Sequence, residues 1–375
     1  MRPFKRHPYR DWTIVLAALV LGFALAAWWF RGGSDAIPSP KKAVPIKRFQ
    51  GYVPNPEETE RFLKSLPKPL LRQQGPELFK ERRDHDTFLY RAWYDAYREY
   101  YGREWTVGAQ GIGDCVSWGW AHGADCHLAV LWKIGESAEW KPAATEAIYG
   151  GSRVEARGVT FGGWSDGSYG AAAAKWVKNW GIVFRQKYDN LGIDLTTYSA
   201  ARAKQWGAYG CGGRNDNGRL DNRAKLHPIK SVALVTTFEE AAKAIQSGYP
   251  VVVCSGQGFT SRRDSQGFCA PRGSWSHCMC FIGVRFGDRP GLLCLNSWGP
   301  RWVSGPKWPE DQPDGSFWVD ARIATRMLSG RDSFAVSGYS GFPYRPLDHG
   351  DWVRVEPKRK PLERRFEERQ YALTQ

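Results

Sequence analysis

Stretches of different periodicity divide the 375-residue chain. An uncharged apolar run fills residues 12–30, at the lower limit for spanning a bilayer. Residues 32–69 show no period and are rich in Pro, Ser, Lys and Glu, which reads as a stalk. Over 76–101, Phe79, Phe88, Leu89, Trp93, Ala96 and Tyr97 recur near helical spacing. That pattern predicts a helical extension packed on the next domain, with a cover over a cleft as the alternative. Helices are predicted over 115–133 and over 170–179, the second closed by Gly181. Thr237-Phe238-Glu239-Glu240 predicts a capping box opening another helix, which Gly248 ends. Strands are predicted at 251–254, 278–284, 292–296 and 316–320. Helices first and strands second imply an α+β fold with two lobes. After Phe342 the chain turns highly charged, and 358–370 alternates sign like a solvated helix or tail. The expected organisation is therefore a basic flank and membrane helix (1–31), a stalk and helical extension (32–100), one α+β domain (101–340) and a charged tail (341–375).

Charge changes the picture at the N-terminus. Arg2, Lys5, Arg6 and Arg10 precede the apolar run, and Trp12, Trp28 and Trp29 sit where its two interfaces fall. The positive flank predicts a single-pass signal anchor with everything after Arg31 outside the cytoplasm. Ala24-Leu25-Ala26 fits a cleavage site, so a removed signal peptide and secretion is the alternative; either way the rest of the chain is exported. The net charge of +15 suits anionic surfaces such as lipid headgroups. No basic strip interleaved with aromatic residues and no nucleic-acid motif is present, so nucleic acid is not an expected partner. The eight cysteines permit at most three disulfides if one thiol is kept for chemistry. Cys278, Cys280 and Cys294 read as small buried hydrophobes on strands. With no CxxC pair, neither a metal nor a cofactor is expected.

The candidate chemistry centres on Cys115. Gly113-Asp114 is a turn ending in an N-cap residue, which puts the Cys115 thiol in the first turn of a helix. Unpaired N–H groups and the helix dipole there favour a thiolate, the reactive form. A thiol nucleophile needs a base and a group that orients it. His277 precedes a predicted strand and Asn296 ends the next, so antiparallel pairing brings the Asn296 amide onto the imidazole. Trp298 is placed to shield that hydrogen bond from water. Gln110, just upstream, supplies an amide donor for an oxyanion beside the Cys115 backbone N–H.

Gln110-Gly111-Ile112-Gly113-Asp114-Cys115, Ser276-His277-Cys278 and Asn296-Ser297-Trp298-Gly299 resemble the catalytic blocks of the papain family of cysteine peptidases, in that family's order. Gly167-Ser168-Tyr169 resembles its substrate-binding Gly-Gly segment, and Gly315-Ser316-Phe317-Trp318 its closing strand. The resemblance implies a papain-like fold, helical in the lobe that carries Cys115 and antiparallel β in the lobe that carries His277 and Asn296. It implies peptide-bond hydrolysis through a Cys115 acyl-thioester, with His277 as base, Asn296 as orienter and Gln110 at the oxyanion. A peptide or protein substrate would lie along Gly167, Ser168, Ser276 and Trp298.

Several positions depart from the family pattern. The interval from Gln110 to Cys115 is one residue short, and Val116 replaces an aromatic residue. Asp114 caps the helix but opposes a thiolate, and Ser168 in place of a glycine is expected to narrow the cleft. Residues 199–228, rich in Gly, Asn and Arg around Cys211, lengthen the interval from Cys115 to His277. These departures leave open a non-catalytic binding module on the same scaffold, and a bacterial cell-wall amidase using a Cys–His pair.

Overall fold

The computed structural model describes residues 49–80, 84–137, 139–157, 165–347 and 352–354. The chain separates into two units, Met1–Ile46 and Lys47–Gln375, and the described residues all belong to the second. The expected membrane helix at 12–30 lies outside them; among the described residues no helix is long and apolar enough to cross a membrane.

Helix α1 (Pro56–Ser65) starts at Asn55, whose Oδ1 accepts the Glu58 N–H, with Pro56 in the first turn. A single turn, α2 (Leu71–Gln74), leads to strand β1 (Asp86–Phe88) and helix α3 (Tyr90–Tyr101). Then come α4 (Cys115–Lys133), α5 (Thr145–Arg153), α6 (Gly170–Asn179), the short strands β2 (Lys187–Tyr188) and β3 (Ile193–Asp194), α7 (Ala200–Tyr209) and α8 (Arg219–Ala224). The second half carries β4 (Ser231–Leu234), α9 (Phe238–Ile245), β5 (Val251–Arg263), β6 (Cys269–Arg285), β7 (Gly291–Leu295), β8 (Ser316–Asp320), α10 (Ala321–Leu328), β9 (Phe334–Ser337) and β10 (Val353–Arg354). The main sheet is antiparallel, in the order β10-β1-β6-β5-β9-β4, with β7 between β6 and β8.

Two hydrophobic cores lie on either side of α4. Cys115, Val116, Trp120, Ala121 and Ala124 enter a helical core with α1, α5 and α6. Cys126, Ala129 and Val130 enter the core between the sheet, α3, α9 and α10. A helix wedged between two cores is apolar all round rather than amphipathic, which is why 115–133 reads as one long hydrophobic helix.

The N-terminal boundaries differ from expectation. Residues 49–69 are not a stalk, since Phe62 and Leu63 fill the helical core. The expected helical extension packs on the domain as α3, with Tyr90, Trp93 and Ala96 buried. It is preceded by β1, which pairs with the central strand β6 through Thr87↔Val284 and Phe88↔Gly283. The helical period read over 76–101 is broken by that strand, because three fully buried residues are too few to show a period of two. The expected tail likewise begins inside the fold, where Phe342, Leu347 and Trp352 are buried and β10 pairs with β1; residues 355–375 lie outside the described part. All eight cysteines are free and buried, so the disulfides the export reading allowed are not formed.

Candidate active site

Cys115 is the first residue of α4. Asp114 does not cap the helix with its side chain, as the sequence suggested. Its backbone oxygen accepts the N–H groups of Ser117 (3.0 Å) and Trp118 (3.3 Å). Its carboxylate turns aside, where Oδ2 accepts from Trp118 Nε1 (3.2 Å) and the Tyr198 hydroxyl (2.9 Å). Fully buried, that carboxyl is pushed up to about 8, chiefly by desolvation.

His277 stands within β6 rather than at a strand's end, opposite Ser255 of β5. The polar run before it continues the strand because its solvent face accepts polar side chains. The β6–β7 register pairs Cys280 with Leu295, which carries Asn296 across to the imidazole. His277 Nε2 lies 2.7 Å from Asn296 Oδ1. An amide oxygen only accepts, so Nε2 holds the proton and the buried Nδ1 is left bare. Trp298 lies over the imidazole at 4.5 Å between ring centres and 31°, backed by Trp275 and Trp302. The Cys115 thiol is fully buried in the helical core, which also holds Cys278, the residue after His277.

Burial dominates the electrostatics. The helix terminus predicted a lowered thiol pKa, but desolvation pushes Cys115 well above the ordinary value, and Cys254 and Asp114 add to it. His277 is pushed down to about 4 by the same cause, against the Asn296 hydrogen bond. Both shifts favour the neutral thiol and neutral imidazole over an ion pair.

A segment expected to belong to a stalk packs against this site. Residues 49–53 run across the front of Cys115. The Val53 N–H donates to Ser168 O (2.8 Å) and the Ser168 N–H to Gly51 O (2.9 Å), a parallel pairing. The Gly51 and Tyr52 N–H groups both donate to Ser276 O (3.1 Å), and Trp298 Nε1 donates to Phe49 O (2.8 Å). A Cβ on Gly51 would lie 1.8 Å from Gly113 O, so only glycine passes there. Tyr52 is buried near Asp332, a buried carboxyl that accepts the first two N–H groups of α6.

The predicted binding residues therefore come together. Gly167, at φ +105°, is held by the Tyr149 hydroxyl on its N–H (3.0 Å) and by the Arg153 guanidinium on its carbonyl. Ser168 does not narrow the cleft, because its hydroxyl turns onto Ser152 Oγ (2.9 Å). Gln110 is fixed by Ser297, whose hydroxyl donates to its Oε1 (2.6 Å), and its Nε2 donates to Ile112 O (2.8 Å). One of its two amide hydrogens is thus committed to its own loop. Sequence reasoning missed Tyr52, Asp332, Tyr198 and Arg153, which carry no local signature.

No protein-family model and no curated protein sequence matches the chain. Among solved structures it is similar to xylellain, a cysteine protease from Xylella fastidiosa, at 14% identity and a TM-score of 0.51 over 79% of this chain and 100% of that one. It is also similar to procathepsin B S9 from Trypanosoma congolense (12% identity, 79% and 87% covered, TM-score 0.43). A third is digestive procathepsin L2 from Tenebrio molitor larval midgut (13%, 90% and 95%, 0.43). The likeness to xylellain shows the fold: the chain has the papain-like cysteine protease fold, helices and an antiparallel sheet around two cores.

Proposed function

With the papain-like fold as premise, we propose that the chain is a cysteine peptidase held in a closed state. The observation that carries the reading is the His277–Asn296 hydrogen bond under Trp298, in a chain whose Cys115 opens a helix at its N-terminus. Asn296 and Trp298 fix the imidazole with Nδ1 unprotonated, the form able to take the Cys115 proton. The Cys115 sulfur then attacks a peptide carbonyl, and the oxyanion meets the Cys115 backbone N–H and the second amide hydrogen of Gln110. His277 returns the proton to the leaving amine, leaving an acyl-thioester, and then draws a proton from the water that cleaves it. An extended peptide would use the backbone groups of Gly167, Ser168 and Ser276 that residues 49–53 now occupy. With that segment in place the pair is neutral and covered; with it withdrawn, water returns and the desolvation that holds the thiol neutral is relieved. An N-terminal anchor at 12–30 would hold this domain outside the cytoplasm, against a membrane whose anionic headgroups suit the positive charge.

A second reading, a peptide-binding module, draws on the covered Cys115 and on the Gln110 hydrogen spent on Ile112. Alkylation by iodoacetamide with peptide mapping, run beside hydrolysis of a peptide library, separates the two. With the 49–53 segment lifted by Tyr52→Ala, a peptidase is labelled at Cys115 and cleaves peptides, and adding Cys115→Ala loses cleavage altogether. Cleavage that survives Cys115→Ala refutes the reading; peptide binding without any cleavage selects the module.

A further inference from the structure

We propose that Tyr198 is a positioning residue that clamps the shortened loop between Gln110 and Cys115, and so sets the oxyanion donors of the site described above. The inference rests on the peptidase reading for its function but not for its geometry. The Tyr198 hydroxyl accepts the Gly111 N–H at 3.1 Å and donates to Asp114 Oδ2 at 2.9 Å. One oxygen thus ties together the two ends of the loop, the residue after Gln110 and the residue before Cys115. The ring packs edge-on against Trp118 at 5.0 Å, and Trp118 Nε1 closes the triangle on the same Asp114 oxygen.

The clamp is itself anchored. Tyr198 immediately precedes the N-cap of α7, and the Ser199 N–H donates to Glu146 Oε1 (2.9 Å). Glu146 is fully buried on α5 and receives Arg185 (3.0 Å) and Arg202 (3.4 Å). Ala200 presses on the loop from the same side, so that a Cβ on Gly111 would lie 2.7 Å from the Ala200 Cβ. Beyond Gly111, the Gly113 N–H donates to Asp166 Oδ2 (3.2 Å), and Lys204 Nζ of α7 donates to Asp166 Oδ1 (3.3 Å). The stretch around α7 thus supplies the support that the one-residue deletion removed. The groups that face Asp114 are Tyr198, Trp118 and, through space, Glu146; desolvation with the Glu146 charge favours a protonated Asp114. A neutral Asp114 lifts the penalty that its charge would set on a Cys115 thiolate.

The test is Tyr198→Phe in the full chain, which keeps the ring on Trp118 and removes only the hydroxyl. Alkylation of Cys115 by iodoacetamide displaces iodide without forming an oxyanion, whereas peptide hydrolysis passes through one. The expected result is a kcat lower by about tenfold or more with KM within about twofold, and an alkylation rate within about twofold of wild type. Equal losses in both reactions, or none in hydrolysis, overturn the proposal. Asp114→Ala is expected to lower kcat alike, and the double variant no further than the worse single one. Exchange of the Gly111 amide should rise about tenfold in Tyr198→Phe whether or not the chain cleaves any peptide. Unchanged exchange refutes the clamp, and a Tyr52→Ala chain that is neither alkylated nor active refutes only the peptidase reading.

Discussion

Truncating Tyr52 to alanine should uncover Cys115. The segment at 49–53 is held by four backbone hydrogen bonds to Ser168 and Ser276, by Trp298 on Phe49, and by the Gln50 side chain on the Ser276 N–H (2.9 Å). Its one buried side chain is Tyr52, 8% exposed. Removing a buried aromatic side chain typically costs about 3–5 kcal/mol. Helix α1 stays docked through Phe62 and Leu63, so the loss falls mainly on local lifting of the segment rather than on global unfolding. About 3 kcal/mol raises the lifted population roughly 150-fold, since about 1.4 kcal/mol is a factor of ten. Iodoacetamide labelling resolved by peptide mapping reads that population at each of the eight buried, free cysteines. Cys115 is expected to label about 100-fold faster in Tyr52→Ala, with Cys126, Cys269, Cys280 and Cys294 of the other core unchanged. Gly51→Ala should act in the same direction, because its Cβ cannot coexist with Gly113 O. An unchanged Cys115 rate refutes the cover. A common rise at all eight cysteines refutes it too, since that pattern reports global destabilisation.

Asn296→Ala leaves the buried His277 Nε2 without its acceptor, so kcat for peptide hydrolysis should fall about 100-fold; an unchanged kcat removes Asn296 from the mechanism. Stability should fall between about pH 6.5 and 8.5, read as a decreasing Tm, by on the order of 1.4 kcal/mol per pH unit for each carboxyl still titrating. Burial raises Asp114 to about 8 and Glu155 and Asp332 to about 7, so their contribution is complete below the unfolded carboxyl range and is lost as pH climbs through those values. The buried His122, His127 and His277 are lowered to about 3, 4 and 4, so their contribution is already complete above about pH 6.5 and cannot offset the loss. A flat or rising Tm over that window contradicts the protonated carboxyls.

The sequence resolves some parts of this site and not others, for physical reasons. Helices α4 and α6 begin and end where read, because their burial imposes a long apolar period and glycines or turns close them. The His277–Asn296 contact was legible because two adjacent strands joined by a short turn can pair in few registers. By contrast, Gln50-Gly51-Tyr52-Val53-Pro54 has neither period nor propensity to read. It docks through its backbone, and backbone hydrogen bonding is common to nearly every residue type. Tyr198 lies 84 positions from Asp114, and nothing local distinguishes a clamping tyrosine from a packed one. The thiol pKa departs from the helix-terminus expectation for a related reason. A helix N-terminus favours a thiolate, but full burial of Cys115 costs the thiolate its solvation, and that effect is the larger. The residues that react were therefore readable from their spacing, whereas the control over whether they react lies in a segment whose contacts arise from the fold alone. On this argument, reactivity at Cys115 should respond more to substitutions at Gly51 and Tyr52 than to the helix dipole, and that ordering is measurable by the same labelling rates.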